Sequence, residues 1–302
     1  MRFILLVLCL YPFSLFAGSE PKIQASIRPL QSIIANLTKG IDDIGIIVEQ
    51  NESIHNCYLK PTKARTLYNS KMVVIIDTNF EVFLKKALDN LNPRKTKIIE
   101  VAKLPGVKIL EDDKSHEHHE HGDEGNHHHH GLNDYHIWLD IDNVKAISVA
   151  LTDVFIKNNS SKADKYKDNL NKFIIKLNQL DITIKAQMKE VEGSKFIVSH
   201  NAYQYYISRY NLEEPQAISI DHDHNIGARE FIKIQNSIRD NAVKCVFEEP
   251  QFESKIIDKI KKDSNVKVCK LDAEWGPEEV SVEDSYIAMM TQVSNSFYSC
   301  LQ

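Results

Sequence analysis

Beyond residue 20 the apolar positions fall into two kinds of run. Short β-branched clusters, IGIIVE (44–49), MVVIID (72–77) and TKIIEV (96–101), occupy the first half, and KFIVS (195–199), AISI (217–220), VKCVFEE (243–249) and VKVCKLD (266–272) the second. Each is followed by a polar, helix-prone stretch, a pattern that predicts βα units and largely parallel sheets. Between the two halves, no glycine or proline occurs from Gly131 to Gly193, so helix must dominate there. Within that interval Ala163, Tyr166, Leu170, Phe173, Leu177, Leu180, Ile184 and Met188 recur at steps of three and four and form one apolar stripe. SSKAD, with Ser161 as N-cap and Asp164 three residues on, predicts the start of this helix, and Glu192 its end. Its length is then roughly 45 Å at 1.5 Å per residue. The expected fold is therefore α/β: an N-terminal lobe over 18–160, a linking helix over 161–192 and a C-terminal lobe over 193–302.

The first residues follow neither pattern. MRFILLVLCLYPFSLFA has a lone Arg2, an apolar run from Phe3 to Phe16 and small residues Ala17, Gly18 and Ser19 at its end, which predicts a cleavable secretory signal over 1–17. The run is short for a bilayer, and no later segment approaches ~18 uninterrupted apolar residues, so a soluble mature protein is expected. A lipid anchor on Cys9 needs a small residue before it, where Leu8 stands. The formal charge of −5 becomes −6 once Arg2 is removed, which offers nucleic acid nothing to hold. Cys57, Cys245, Cys269 and Cys300 remain in the exported chain; an even number in an oxidising compartment suggests disulfides, and three pairings are open.

Residues 116–130 read HEHHEHGDEGNHHHH and hold eight of the thirteen histidines: His116, His118, His119, His121, His127, His128, His129 and His130. Interleaved with acids and glycines, they cannot build a core, but imidazole density points to metal. The other histidines are His55, His136, His200, His222 and His224. His55 follows IGIIVE after a short polar turn, His200 terminates KFIVS, Asp272 terminates VKVCKLD, and His136 lies in DYHIWLD before the glycine-free interval. Ligands of open α/β sheets bind beyond the carboxyl ends of the strands, so His55, His200 and Asp272 are expected to converge in a cleft between the lobes. Three imidazoles with one carboxylate or a water make a zinc site. His222 and His224, in DHDHN, read as a polar surface loop.

At these residues the chain resembles the ZnuA family, the periplasmic zinc-binding component of bacterial ABC importers. The likeness runs through SIRPLQSIIANLTKG, SIHNCYLKPTKARTLYNSKMVVII, the His-rich stretch, DYHIWLDIDNVKAIS, KFIVSHNAYQYYISRYNL, VKCVFEEPQFESKIIDKI and VKVCKLDAEWG. The resemblance implies His55, His136 and His200 as the imidazole ligands, Asp272 at the carboxylate position, and two lobes joined by a rigid helix with the metal in the cleft. It favours a Cys245–Cys300 disulfide. It implies a monomer that captures Zn²⁺ as transported cargo in the periplasm and delivers it to an inner-membrane ABC permease, with the His-rich loop as a secondary gathering site. Asn201 and Asp140 are candidates to orient the rings because they are near in sequence.

The chain departs from the family at Ile54, where some members carry a glutamate; at Cys57 and Asn201, where aspartate is common; and in LDAEWG, which differs from the usual turn. Cys57 and Cys269 flank ligand segments, and three readings stay open: they pair with each other, Cys57 offers a thiolate, or both are free buried thiols. Alternatives to zinc import are import of manganese or another divalent metal, and a periplasmic zinc buffer or adhesin without transport. A three-histidine zinc can also be catalytic. There is no HExxH, however, and Glu248 and Glu249 read equally well as the end of a strand, so no enzyme is expected.

Overall fold

The computed structural model describes residues 21–302 apart from 51, 112–132, 220–226, 241, 252–254 and 278. The expected signal, the His-rich stretch 116–130, His222 and His224 lie outside the described residues.

Among the described residues, seven βα steps build two sheets. The first contains β1 (Ile23–Ala25), β2 (Ile44–Ile46), β3 (Met72–Ile75) and β4 (Lys97–Glu100), parallel throughout in the order β2-β1-β3-β4. Its crossovers are α1 (Arg28–Leu37), α2 (Pro61–Asn69) and α3 (Val82–Asp89). Pro29 and Pro61 sit in the first turns of α1 and α2, where the missing N–H costs nothing. A short antiparallel pair, β5 (Leu110–Glu111) and β6 (Asn133–Asp134), follows. Helices α4 (Ile141–Asn158) and α5 (Ala163–Lys189) come next. The second sheet holds β7 (Phe196–His200), β8 (Gln216–Ser219), β9 (Cys245–Glu248) and β10 (Lys267–Lys270), parallel in the order β10-β9-β7-β8. Its crossovers are α6 (Gln204–Tyr210), α7 (Ala228–Arg239) and α8 (Lys255–Asp263), and α9 (Ser285–Leu301) ends the chain. All residues of β3 and β7 are buried, as expected of strands covered on both faces.

The linking helix begins later than SSKAD suggests. Ser160–Lys162 form a 3-10 turn, and the Ser161 hydroxyl donates to Asn159 Oδ1 (2.7 Å) instead of capping the helix. α5 has 27 residues, about 40 Å of length. Its buried stripe holds Tyr166, Phe173, Leu177, Leu180, Ile184 and Met188 of the expected positions, with Ala163 and Leu170 half-buried and one polar addition. Asn169 is buried and its amide donates to the carbonyls of Leu37 (3.0 Å) and Lys39 (3.1 Å), satisfying the C-terminal end of α1. α4 packs back along α5, and Arg209 of α6 ties the two together through Asp140 Oδ1 (2.8 Å), Asp142 Oδ2 (2.9 Å) and Asp181 Oδ1 (2.8 Å). Asp140 also N-caps α4, accepting from Asp142 N, so it is committed here and does not orient a histidine ring.

Helix α9 returns across both halves. Ser32 in α1 donates to Glu283 O and accepts from Tyr286 N, both at 3.0 Å, while Lys176 of α5 reaches Asp284 (2.9 Å). One apolar core consequently runs from Ile23 in the first sheet through Trp138 and Phe173 to Phe196, Phe247 and Phe297 around the second. Cys300, at the end of α9, stands within bonding reach of Cys245 in β9, the pairing the family resemblance favours, and also of Cys269 in β10. The alternative of Cys57 with Cys269 is overturned: Cys269 faces Cys245 and Cys300, and Cys57 is a free, half-buried thiol that burial pushes up to about 12. Cys57 also stands outside the group formed by His55, His136 and His200.

Candidate metal centre

His200 is the last residue of β7 and is buried, so its ring emerges at the carboxyl edge of the second sheet. His55 sits in the loop that leaves the first sheet after β2 and ends at Pro61. That loop is pinned by Ile54, only 2% exposed, and by Lys60, whose ammonium reaches both Glu49 (2.8 Å) and Glu52 (2.7 Å). His136 follows β6 and opens a buried turn, Ile137–Leu139. The Trp138 indole in that turn donates to Ala273 O (2.8 Å), joining the His136 segment to the loop after β10.

These three elements bring one nitrogen of each of His55, His136 and His200 within 4.8 Å of the others. The ring centroids lie 4.8–5.3 Å apart. Phe80 packs edge-on against both His55 (5.2 Å) and His136 (5.3 Å) and forms an apolar wall beside them. Asp134 takes His136 Nδ1 (2.8 Å), so Nε2 is the nitrogen His136 presents, and it stands 3.3 Å from His55 Nε2. Ligands about 2.0–2.1 Å from a tetrahedral zinc lie about 3.3–3.4 Å from one another, so this spacing matches one edge of such a site. His200 turns Nδ1 towards Glu249 Oε1 (3.5 Å), which leaves Nε2 as its nitrogen for the group.

Asp272 stands outside the set of three nitrogens that approach within 4.8 Å of one another. Its Oδ1 accepts from Gln251 Nε2 (2.9 Å), Glu274 N (2.9 Å) and Trp275 N (3.0 Å), and its Oδ2 from Gly276 N (3.3 Å). Those bonds make it the organiser of the LDAEWG loop. Gly276 has φ +70, and a Cβ added there would lie 2.8 Å from Met289 Cα of α9, so no side chain fits where the loop closes. The same loop carries Glu274, whose Oε1 accepts from Ser53 Oγ (3.2 Å) while that hydroxyl accepts from His55 N (3.3 Å). Burial, reinforced by Glu249 and Asp272, pushes the Glu274 carboxyl up to about 8.

Two carboxylates that sequence proximity did not single out for the rings are Asp134 and Glu249. Asp134 stands two residues before His136, a spacing that would have flagged it. Glu249 was visible only as the end of a strand, and its partner His200 is distant in sequence; its neighbour Glu248 points elsewhere, to Lys261 (2.6 Å). Asn201 is half-buried.

Two parallel sheets joined by a long helix, with three imidazoles gathered at the strand ends between them, define a metal-binding solute-binding protein. Residues 23–300 match the family model ZnuA, "Zinc-uptake complex component A periplasmic", and the chain belongs to that family. It is 29% identical to the high-affinity zinc uptake system protein ZnuA of Yersinia pestis, over 96% of this chain and 93% of that protein. It is also 29% identical to the protein of the same name from Brucella abortus, over 95% and 94%. A crystal structure of ZnuA superposes with TM-score 0.78 at 23% identity, covering 93% of this chain and 98% of the other. The laminin-binding protein Lmb of Streptococcus agalactiae, described as bifunctional with adhesin and metal-transporting activity, gives TM-score 0.77 at 20% identity over 93% and 99%. These two structural likenesses establish the shared fold.

Proposed function

We propose that the chain captures Zn²⁺ through His55, His136 and His200, with a water or Asp272 in the last position, and hands it to an ABC permease at the inner membrane. The observation that carries this reading is the convergence of three imidazole nitrogens, two of them already 3.3 Å apart. An imidazole-rich set suits zinc, whereas manganese favours oxygen-rich octahedral sites. Relatives named for high-affinity zinc uptake support the same cargo. A signal over 1–17 fits export to the periplasm, and no helix among the described residues is long and apolar enough to cross a membrane. The division at 161–192 is supported by α5 lying between the two sheets in the chain.

Zinc titration of three proteins tests the site: the unaltered chain, a form lacking residues 116–130, and His55→Ala. His55→Ala is expected to abolish the tightest binding, and deletion of the His-rich stretch to lower stoichiometry while leaving that binding in place. The opposite result would move the primary site to the His-rich stretch. Transport is tested by growth in chelator, where a deletion strain that still imports zinc normally would refute the delivery role.

A further inference from the structure

The C-terminal half contains a second cluster of reactive side chains, made of sulfur. β9 and β10 are paired so that Cys245 faces Lys267 and Cys269 faces Phe247. Cys245 and Cys269 are therefore two register steps apart on neighbouring strands and project from the same face of the sheet. Cys300, in the last turn of α9, lies over that face, with Cα–Cα distances of 5.8 Å to Cys245 and 6.3 Å to Cys269. Both separations fall in the range a disulfide spans without backbone movement. All three sulfurs lie within 4.8 Å of one another. A sulfur forms one disulfide at a time, so oxidation of this cluster leaves one thiol directly against the bond.

We propose that Cys245, Cys269 and Cys300 form an intramolecular thiol–disulfide exchange centre with Cys300 as the shared partner. Starting from the Cys245–Cys300 disulfide, the Cys269 thiolate attacks Cys300 Sγ, the Cys245–Cys300 bond breaks and Cys245 leaves as a thiolate. The proton lost from Cys269 returns through solvent to Cys245. One disulfide and one thiol stand on each side, so no oxidant or reductant is consumed. Cys245 and Cys300 are sealed from solvent while Cys269 is half-exposed, so the Cys245–Cys300 form places the remaining thiol at the accessible position. The exchange moves the tether of α9 from β9 to β10. β9 runs directly into Glu249, the carboxylate beside His200, and β10 into the Asp272–Glu274 loop. This inference does not depend on which ion the three imidazoles hold.

Disulfide mapping tests it. The protein is held at pH 8 without added thiol, quenched in acid, labelled with N-ethylmaleimide, cut with pepsin at low pH and read by mass spectrometry. Both Cys245–Cys300 and Cys269–Cys300 peptides are expected, within about ten-fold of each other, with label divided between Cys269 and Cys245 and full label on Cys57. Cys269→Ser is expected to retain only Cys245–Cys300, and Cys245→Ser only Cys269–Cys300. Wild-type protein that carries a single disulfide and one uniformly labelled thiol, at pH 8 and at every incubation time, overturns the exchange. So does isolated protein in which all three sulfurs are reduced and ligate zinc. The wild-type mapping decides the matter even where Cys245→Ser fails to fold.

Discussion

Asp134 holds His136 twice through one oxygen: its Oδ1 accepts from the backbone N–H of His136 and from ring Nδ1, both at 2.8 Å. Fixing Nδ1 fixes the tautomer and turns Nε2 towards His55. Such carboxylate partners are worth about 10–100-fold in metal affinity. Asp134→Ala is therefore expected to weaken zinc binding by roughly that factor while far-UV circular dichroism stays unchanged. Competition against a chromophoric chelator measures it, and an unaltered affinity would show that His136 is oriented by packing alone.

Glu249 has a looser hold on His200, at 3.5 Å, and shares its Oε1 with the Tyr203 hydroxyl. Glu249→Ala is expected to cost zinc affinity by about ten-fold, near the low end for such partners. Because protons compete for the same imidazole nitrogens, affinity in every variant is expected to be lower in acid than at neutral pH. Isothermal titration at pH 7.5 and 5.5 checks both statements.

Ser53 links the two halves at the site, accepting from His55 N and donating to Glu274. A single such hydrogen bond contributes about 1 kcal/mol, or about five-fold in an equilibrium constant. Ser53→Ala is expected to speed zinc release by about that factor with little change in melting temperature. Stopped-flow release into excess chelator reads the rate; an unchanged rate would mean the latch does not govern departure of the ion.

Arg209 joins α6 to three carboxylates on α4 and α5. Its hydrogen bond to Asp142 holds that carboxyl down at about 2, and at Asp181 burial pushes up but Arg209, with Tyr210 and Lys145, gives a net lowering. Folded values below the unfolded ones mean stability that is present above pH ~4 and lost as pH falls towards 2. Arg209→Met is expected to lower stability at neutral pH by about 2 kcal/mol, allowing for partial exposure, and to flatten its dependence across that acid window. Urea unfolding at pH 7, 4 and 3 is the measurement.

The seven β-branched runs and the apolar stripe of α5 were legible because each is a local periodicity, and His200 because a strand ends on it. His55 and His136 were identified by position relative to predicted elements and by the family resemblance. What local pattern could not supply was pairing at a distance: Ser53 with Glu274, Trp138 with the Ala273 carbonyl, His200 with Glu249, and Cys269 with Cys300. Ser161 misled for the complementary reason, since its hydroxyl had a nearer acceptor in Asn159. Asp272 was legible from its place after a strand, but the four donors it holds, from Gln251 and its own loop, were not.

The unbroken core that runs from Ile23 to Phe297 has a consequence for recognition. Swinging the sheets apart would expose the packing of α1, α5 and α9, so filled and empty forms must share nearly the same outline. A receiving partner cannot sort them by silhouette. The signal of occupancy is then local, carried by the few side chains around the imidazoles, where Ser53 meets Glu274.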